Sequence, residues 1–185
     1  GAPALPRAGW VLHRPVPSFG GALRRTPRLG KCVARVFAGR RHFLSGALGP
    51  IERGIYKLSG IEPAQEMSWG AYAIAMLVFN IVGGIVLLAL EMTQQWLPLN
   101  PQHLPNVPFA LALNTAVSFM TNTNWQAYSG ENSVSYGTQM IGLAVHNFVS
   151  AATGVAIAVT LMRGILRKQA GSIGNFWADL TRCTL

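Results

Sequence analysis

Between Leu58 and Met162 the chain has no lysine and no arginine, and its only acids there are Glu62, Glu66, Glu91 and Glu131. A stretch so poor in charge cannot present a water-facing surface on all sides. Charged residues make up 11% of the whole chain, against about 25% in an ordinary soluble domain. The positive charge is also segregated. Nine of the fifteen lysines and arginines precede the first acid, Glu52, and the others are Arg53, Lys57, Arg163, Arg167, Lys168 and Arg182. A bilayer accounts for both the deficit and the clustering. The net charge of +9 invites a nucleic-acid reading, but aromatic residues do not interleave with the basic ones in a binding pattern. No nucleic-acid partner is expected.

A crossing of the hydrocarbon core needs about 20 mostly apolar residues. "SWGAYAIAMLVFNIVGGIVLLAL" meets that at 68–90 and is closed by Glu91; a second span is placed at 137–162, around the charge-free run "QMIGLAVHNFVSAATGVAIAVTLM". Between them "FALALNTAVSFM" is too short to cross. With Pro108 as its first-turn proline, 108–120 is predicted to be a re-entrant half-helix. Arg53 and Lys57 before the first span, and Arg163, Arg167 and Lys168 after the second, put both flanks in the cytoplasm. Residues 91–107, with Pro98, Pro101 and Pro105 and with Pro108 directly after them, are expected to form an extended, stiff external loop. Residues 29–67 read as a cytoplasmic segment with a short interfacial helix over 50–60, whose Ile51, Ile55 and Leu58 share one face. Residues 163–185 read as a cytoplasmic loop and the start of a further helix.

The half-helix runs into "TNTNWQ" at 121–126. Non-helical backbone at membrane depth must be buried in protein or line an aqueous cavity. Two readings stand. One is a polar external turn between helices. The other is an ion path, in which carbonyls of Thr121, Asn122, Thr123 and Asn124 replace the hydration shell of a potassium ion. That requires some residues at positive φ, which asparagine tolerates best after glycine. The carbonyl pole of the half-helix favours a cation, and Glu131 would draw cations into an outer vestibule.

Elsewhere the sequence offers little chemistry. His146 lies inside the second span, where the choice is between a functional group and a hydrogen bond to another helix. Gly83, Gly84, Gly142 and Gly154 suit close helix approach. Cys32 and Cys183 show no metal-ligand spacing. No nucleophile has a base at readable spacing, and there is no phosphate loop, so no catalytic residue is expected.

The window "LALNTAVSFMTNTNWQAYSGENSVSYGTQMIGLAVHNFVSAATG" (111–154) closely resembles the potassium-binding, channel-like subunit of the Kdp-type potassium-transporting P-type ATPase. The likeness extends through "QQWLPLNPQHLP", "GPIERGIYKLSGIEPAQEMSWGAYAIAMLVFN" and "LMRGILRKQAGSIGNFWADLTR", over roughly 29–185. It implies an all-α membrane protein of the potassium channel and transporter superfamily, in which four helix–pore-loop–helix repeats surround one filter. This chain would hold about one repeat. Residues 121–131 become its filter loop, with Thr121, Asn122, Thr123 and Asn124 as the filter strand and Asn124 where other repeats use glycine. The resemblance further implies a potassium ion as ligand, a catalytic ATP-hydrolysing P-type partner with small accessory membrane subunits, and a bacterial inner-membrane location. Residues 1–28, with five prolines and five arginines, depart from the family. They are expected to be an unstructured, aberrant N-terminus, transit-peptide-like in composition and best explained as an out-of-frame reading. Two alternatives are a two-span homotetrameric passive potassium channel and a remnant with no transport role.

Overall fold

The computed structural model describes residues 26–27, 30–40, 45–167 and 171–185. The expectation for 1–28 therefore falls almost wholly outside the described residues, as does Lys168. The chain divides into two units, Gly1–Ala47 and Leu48–Leu185. In the first, residues 30–37 are helical and end in a turn at Gly39, φ 65°. Among the described residues the elements are helical, with no strand and a single isolated bridge between Met67 and Gly174.

Helix α1 (Ser45–Ser59) carries Pro50 in its interior, whereas the sequence reading began a helix there. Ile51, Ile55 and Leu58 are exposed along it, while Tyr56 is buried and donates its hydroxyl to Glu52 Oε1 at 2.7 Å. Helix α2 (Trp69–Thr93) starts at Ser68, whose Oγ accepts the Ala71 N–H. It continues through a 3-10 turn, Gln94–Trp96. The expected loop at 91–107 thus begins later than its charge suggested: Glu91 and Gln94 are both fully buried, so neither ends the helix by seeking water. The remaining connection is compact rather than extended. Asn100 folds it, accepting from Leu104 N at 3.0 Å and donating to Leu104 O at 2.9 Å, with Leu99 and His103 at positive φ.

Helix α3 (Phe109–Met120) is the half-helix, with Pro108 one position ahead of it as cap. At 12 residues it spans about 18 Å, roughly half a hydrocarbon core of about 30 Å. A four-residue turn of helix, α4 (Gly130–Ser133), follows the loop. A π-helical turn, Thr138–Ala144, then opens α5 (Val145–Leu166). Helix α6 (Phe176–Thr184) is capped by Asn175, whose Oδ1 accepts from Trp177 N and Ala178 N.

Two helices, Trp69–Trp96 and Thr138–Leu166, are long and apolar enough to cross a bilayer. Their outward faces remain bare: Ile74 is 64% exposed, Ile85 59% and Phe148 72%. In water such a patch drives association; in lipid it is the normal surface. Packing separates into two cores. One, around α3, joins Leu87, Val107, Ala116, Phe119, Val134 and Leu143. The other joins Tyr72, Ala152, Phe176 and Leu180, with Phe176 edge-on to Tyr72 at 5.5 Å and to Trp177 at 5.1 Å.

At the second core Arg163 does not simply mark a membrane boundary. It lies within α5 and grips Asp179 of α6 through two hydrogen bonds, Nη1–Oδ2 at 2.5 Å and Nη2–Oδ1 at 2.9 Å, with the Asp179 side chain 2% exposed. Gly174, at φ 117°, keeps its Cα face clear for that guanidinium, which a Cβ would strike. Nearby, the Ser172 hydroxyl and then Arg167 hold the Glu66 carboxyl below the usual carboxylate range, in an exposed cluster worth little to stability. Burial, and then the charge of Asp179, push the Cys183 thiol up to about 11.

Removing one partner of a buried ion pair strands the other, at a cost of about 3–5 kcal/mol. Arg163→Met should lower stability by that amount in detergent. The double change Arg163→Met with Asp179→Leu should cost clearly less than the two single changes summed, as read from unfolding midpoints.

Candidate ion-binding site

Helix α3 ends at Met120 because the next residues turn their N–H groups back onto its last carbonyls. Thr121 N donates to Val117 O (3.0 Å), Asn122 N to Phe119 O (3.2 Å), and Thr123 N and Asn124 N both to Ser118 O (2.9 and 3.2 Å). Trp125 N donates to the Ser118 hydroxyl at 2.9 Å. Five successive donors are thereby consumed on one side. The chain achieves this with φ −90° at Thr121 and +59° at Asn122 and at Asn124, while Thr123 is not among the positive-φ residues. Alternation of this kind turns consecutive peptide planes the same way. No hydrogen bond among the described residues ends on the carbonyls of Thr121, Asn122, Thr123 or Asn124, and the first three of these residues are exposed.

Side chains hold the loop from within. Thr121 Oγ1 donates to Val117 O at 2.9 Å and lies 3.1 Å from Thr123 Oγ1. Asn124 Nδ2 donates to Asn122 Oδ1 at 3.0 Å, an oxygen also reached by Ser150 of α5 at 3.2 Å. Asn124 Oδ1 is buried with no partner among the described residues. Beside the loop lies an open groove of about 400 Å³, lined by Ala110, Leu113, Asn114, Val117, Thr123 and Trp125 among others.

The four filter residues expected from the sequence are therefore contiguous in one bonded loop. Glu131 is exposed in the first turn of α4, and no bond among the described residues joins it to them. His146 is buried and its Nδ1 pairs with Gly142 O at 3.1 Å in its own helical run, not with another helix. Its Nε2 rests over Gly83, where a Cβ would lie 3.0 Å away. Gly84 and Gly142 are likewise crowded, but Gly154 faces open space.

Sequence reading missed four residues that organise the site: Ser118, Ser150, Glu91 and Gln94. Gln94 is saturated, its Nε2 donating to Pro105 O (2.6 Å) and Ser133 O (2.8 Å) and its Oε1 accepting from Ser135 N (2.9 Å) and Thr138 Oγ1 (3.2 Å). A polar side chain inside a charge-free apolar helix was the available signal for Ser118 and Ser150.

Helix, half-helix, carbonyl-lined loop and second helix make this a membrane protein of the helix–pore-loop–helix class. Residues 21–185 match the family described as potassium-transporting ATPase A subunit, KdpA, and the chain belongs to that family. The match starts at residue 21, inside the segment 1–28 that the sequence alone sets apart from the family. Among curated relatives, the potassium-transporting ATPase potassium-binding subunit of Pseudomonas entomophila (strain L48) is 59% identical over 167 residues, which is 90% of this chain and 30% of the relative. The subunit of the same name from Pseudomonas syringae pv. tomato is 58% identical over 88% of this chain and 29% of its own length. That from Bordetella pertussis (strain Tohama I) is 54% identical over 86% and 27%. The chain thus spans about 30% of the length of the curated relatives it matches.

A left-handed backbone costs a β-branched residue about 1–2 kcal/mol and glycine nothing. Asn124→Gly should therefore leave thermal stability within about 1 kcal/mol of the parent. Asn124→Val should lower it by about 1–2 kcal/mol and speed amide exchange at 121–125.

Proposed function

We propose that this chain is one pore repeat of a potassium-binding and translocating subunit in an ATP-driven potassium uptake pump. Thr121, Asn122, Thr123 and Asn124 supply one strand of its selectivity filter. The reading rests above all on four consecutive carbonyls without a partner among the described residues, presented by a stretch, 121–125, whose N–H groups all bond the half-helix behind it. Such a row replaces water around a dehydrated cation, and the C-terminal pole of α3 adds negative potential. One strand cannot surround an ion. Three further repeats complete the ring, and the relatives' greater length leaves room for them in one polypeptide. The groove beside α3 is where a neighbouring repeat packs. Glu131 acts from the vestibule by long-range attraction rather than contact.

The subunit itself does not hydrolyse ATP in this reading; a P-type catalytic partner does so, assisted by small accessory membrane subunits. The complex lies in the bacterial inner membrane, with both ends of residues 50–170 cytoplasmic and the pore loop entering from outside.

In the full-length subunit within its assembled complex, Asn124→Asp should reduce potassium-over-sodium discrimination in uptake by about tenfold or more. Unchanged discrimination removes the site assignment. Potassium flux from this chain alone in liposomes, without ATP, would instead establish a passive homotetramer.

Topology has its own check. After Cys32 and Cys183 are replaced by serine, a cysteine at Asn100 should react with an impermeant maleimide added to intact cells whose outer membrane has been permeabilised. A cysteine at Gly171 should react only after the inner membrane is opened. The reverse pattern would overturn the orientation.

A further inference from the structure

Bonds within the loop settle its shape but not its depth. That depends on what holds the segment leading into α3 and the segment leaving the filter. Both are attached to the last turns of α2. Glu91 accepts the Val107 N–H on its backbone carbonyl at 3.0 Å, two residues before α3 begins. Its carboxylate Oε1 accepts the hydroxyl of Tyr128, four residues beyond Asn124. Gln94, one turn on, bonds Pro105 O on the incoming side and Ser133 O on the outgoing side. Both side chains are 0% exposed. Glu91 Oε2 is buried with no partner among the described residues, so the carboxylate spends desolvation on a single side-chain contact.

An apolar residue would fill that space without this penalty. We infer that Glu91, acting through Tyr128, is a positioning residue for ion selection. With Gln94 it forms a clamp on α2 that sets the height of the carbonyl strand relative to the other strands of the filter. This rests on the filter reading above. Height matters because the strands must present their oxygens in register; a strand displaced along the axis loses affinity and selectivity before it loses its fold.

The test uses the full-length subunit in its assembled complex, with potassium and sodium uptake as readouts. Tyr128→Phe removes only the donor, and Glu91→Leu removes the acceptor. Each should raise the KM for potassium about tenfold and lower potassium-over-sodium discrimination, with maximal rate changed by less than about twofold. Glu91→Gln keeps an acceptor oxygen and should stay within about threefold of the parent. The double variant should be no worse than the worse single one. Tyr72→Phe is the control for a purely structural loss. It deletes a buried hydroxyl on the same helix, bonded to Ala156 O and Asp179 Oδ2, and should leave KM and discrimination unmoved. If Glu91→Leu fails to assemble, Tyr128→Phe alone decides. Unchanged KM and discrimination in Tyr128→Phe, while Asn124→Asp still loses discrimination, overturns the clamp and leaves the filter standing. If neither variant changes discrimination, both fall.

Discussion

Peptide groups at membrane depth have no water to turn to, and each one left unpaired in hydrocarbon costs several kcal/mol. That constraint shapes everything between Pro108 and Ser135. A helix that stops half-way across must dispose of its last carbonyls, and the chain beyond it must dispose of its N–H groups. Here one requirement answers the other: the N–H groups of residues 121–124 close onto carbonyls of Val117, Ser118 and Phe119. What remains is a row of carbonyls, at 121–124, with no partner among the described residues. Under the filter reading proposed above, a cation supplies the missing interaction, and binding follows from how the half-helix is ended rather than from a dedicated ligand side chain.

The same helix, α2, serves two polar nodes on otherwise apolar surroundings. Toward one end, Glu91 and Gln94 hold the two legs of the re-entrant segment. Toward the other, Tyr72 donates to Asp179 at 3.3 Å, and Asp179 is gripped by Arg163. Between hydrophobic helices in lipid, apolar contact gives little preference for one register over another, and hydrogen bonds decide it. The two nodes therefore fix the depth of α2 against α3 and α6 separately, so the pore loop and α6 share one frame of reference.

How far this was legible in the sequence depends on whether a feature is local. The charge gap from Leu58 to Met162 reveals helices built for a bilayer, since composition alone separates lipid-facing from water-facing surface. Positive φ at Asn122 and Asn124 was legible in the same way, because asparagine's tolerance of the left-handed region is a property of the residue. Glu91 was not. Read alone, an acid at the end of an apolar run marks the return to water; its partner Tyr128 lies 37 positions away. Arg163 misled for the same reason, its partner Asp179 being 16 residues on. The loop after α2 misled differently. Four prolines favour an extended chain, but the side chain of Asn100 closes a turn that backbone preference does not foretell.

Two kinds of bare surface on this repeat look alike to any apolarity scale. Ile74, Ile81 and Ile85 on α2 are exposed, and so are Phe109, Leu113 and Val117 on α3. The α2 face is apolar from end to end, as a lipid contact has to be. The α3 face runs beside Asn114, Ser118, Thr121 and Thr123, which line the same groove. The hydroxyls bond within the loop, but the exposed Asn114 amide, with no partner among the described residues, would be unsatisfied facing acyl chains, whereas against another pore repeat it has polar partners to find. Asn124 Oδ1, buried and unpartnered among the described residues, belongs with it. The polar residues thus divide the exposed surface into what lipid covers and what protein covers. Under the filter reading proposed above, the covering protein lies on the side where the loop carbonyls have no partner among the described residues.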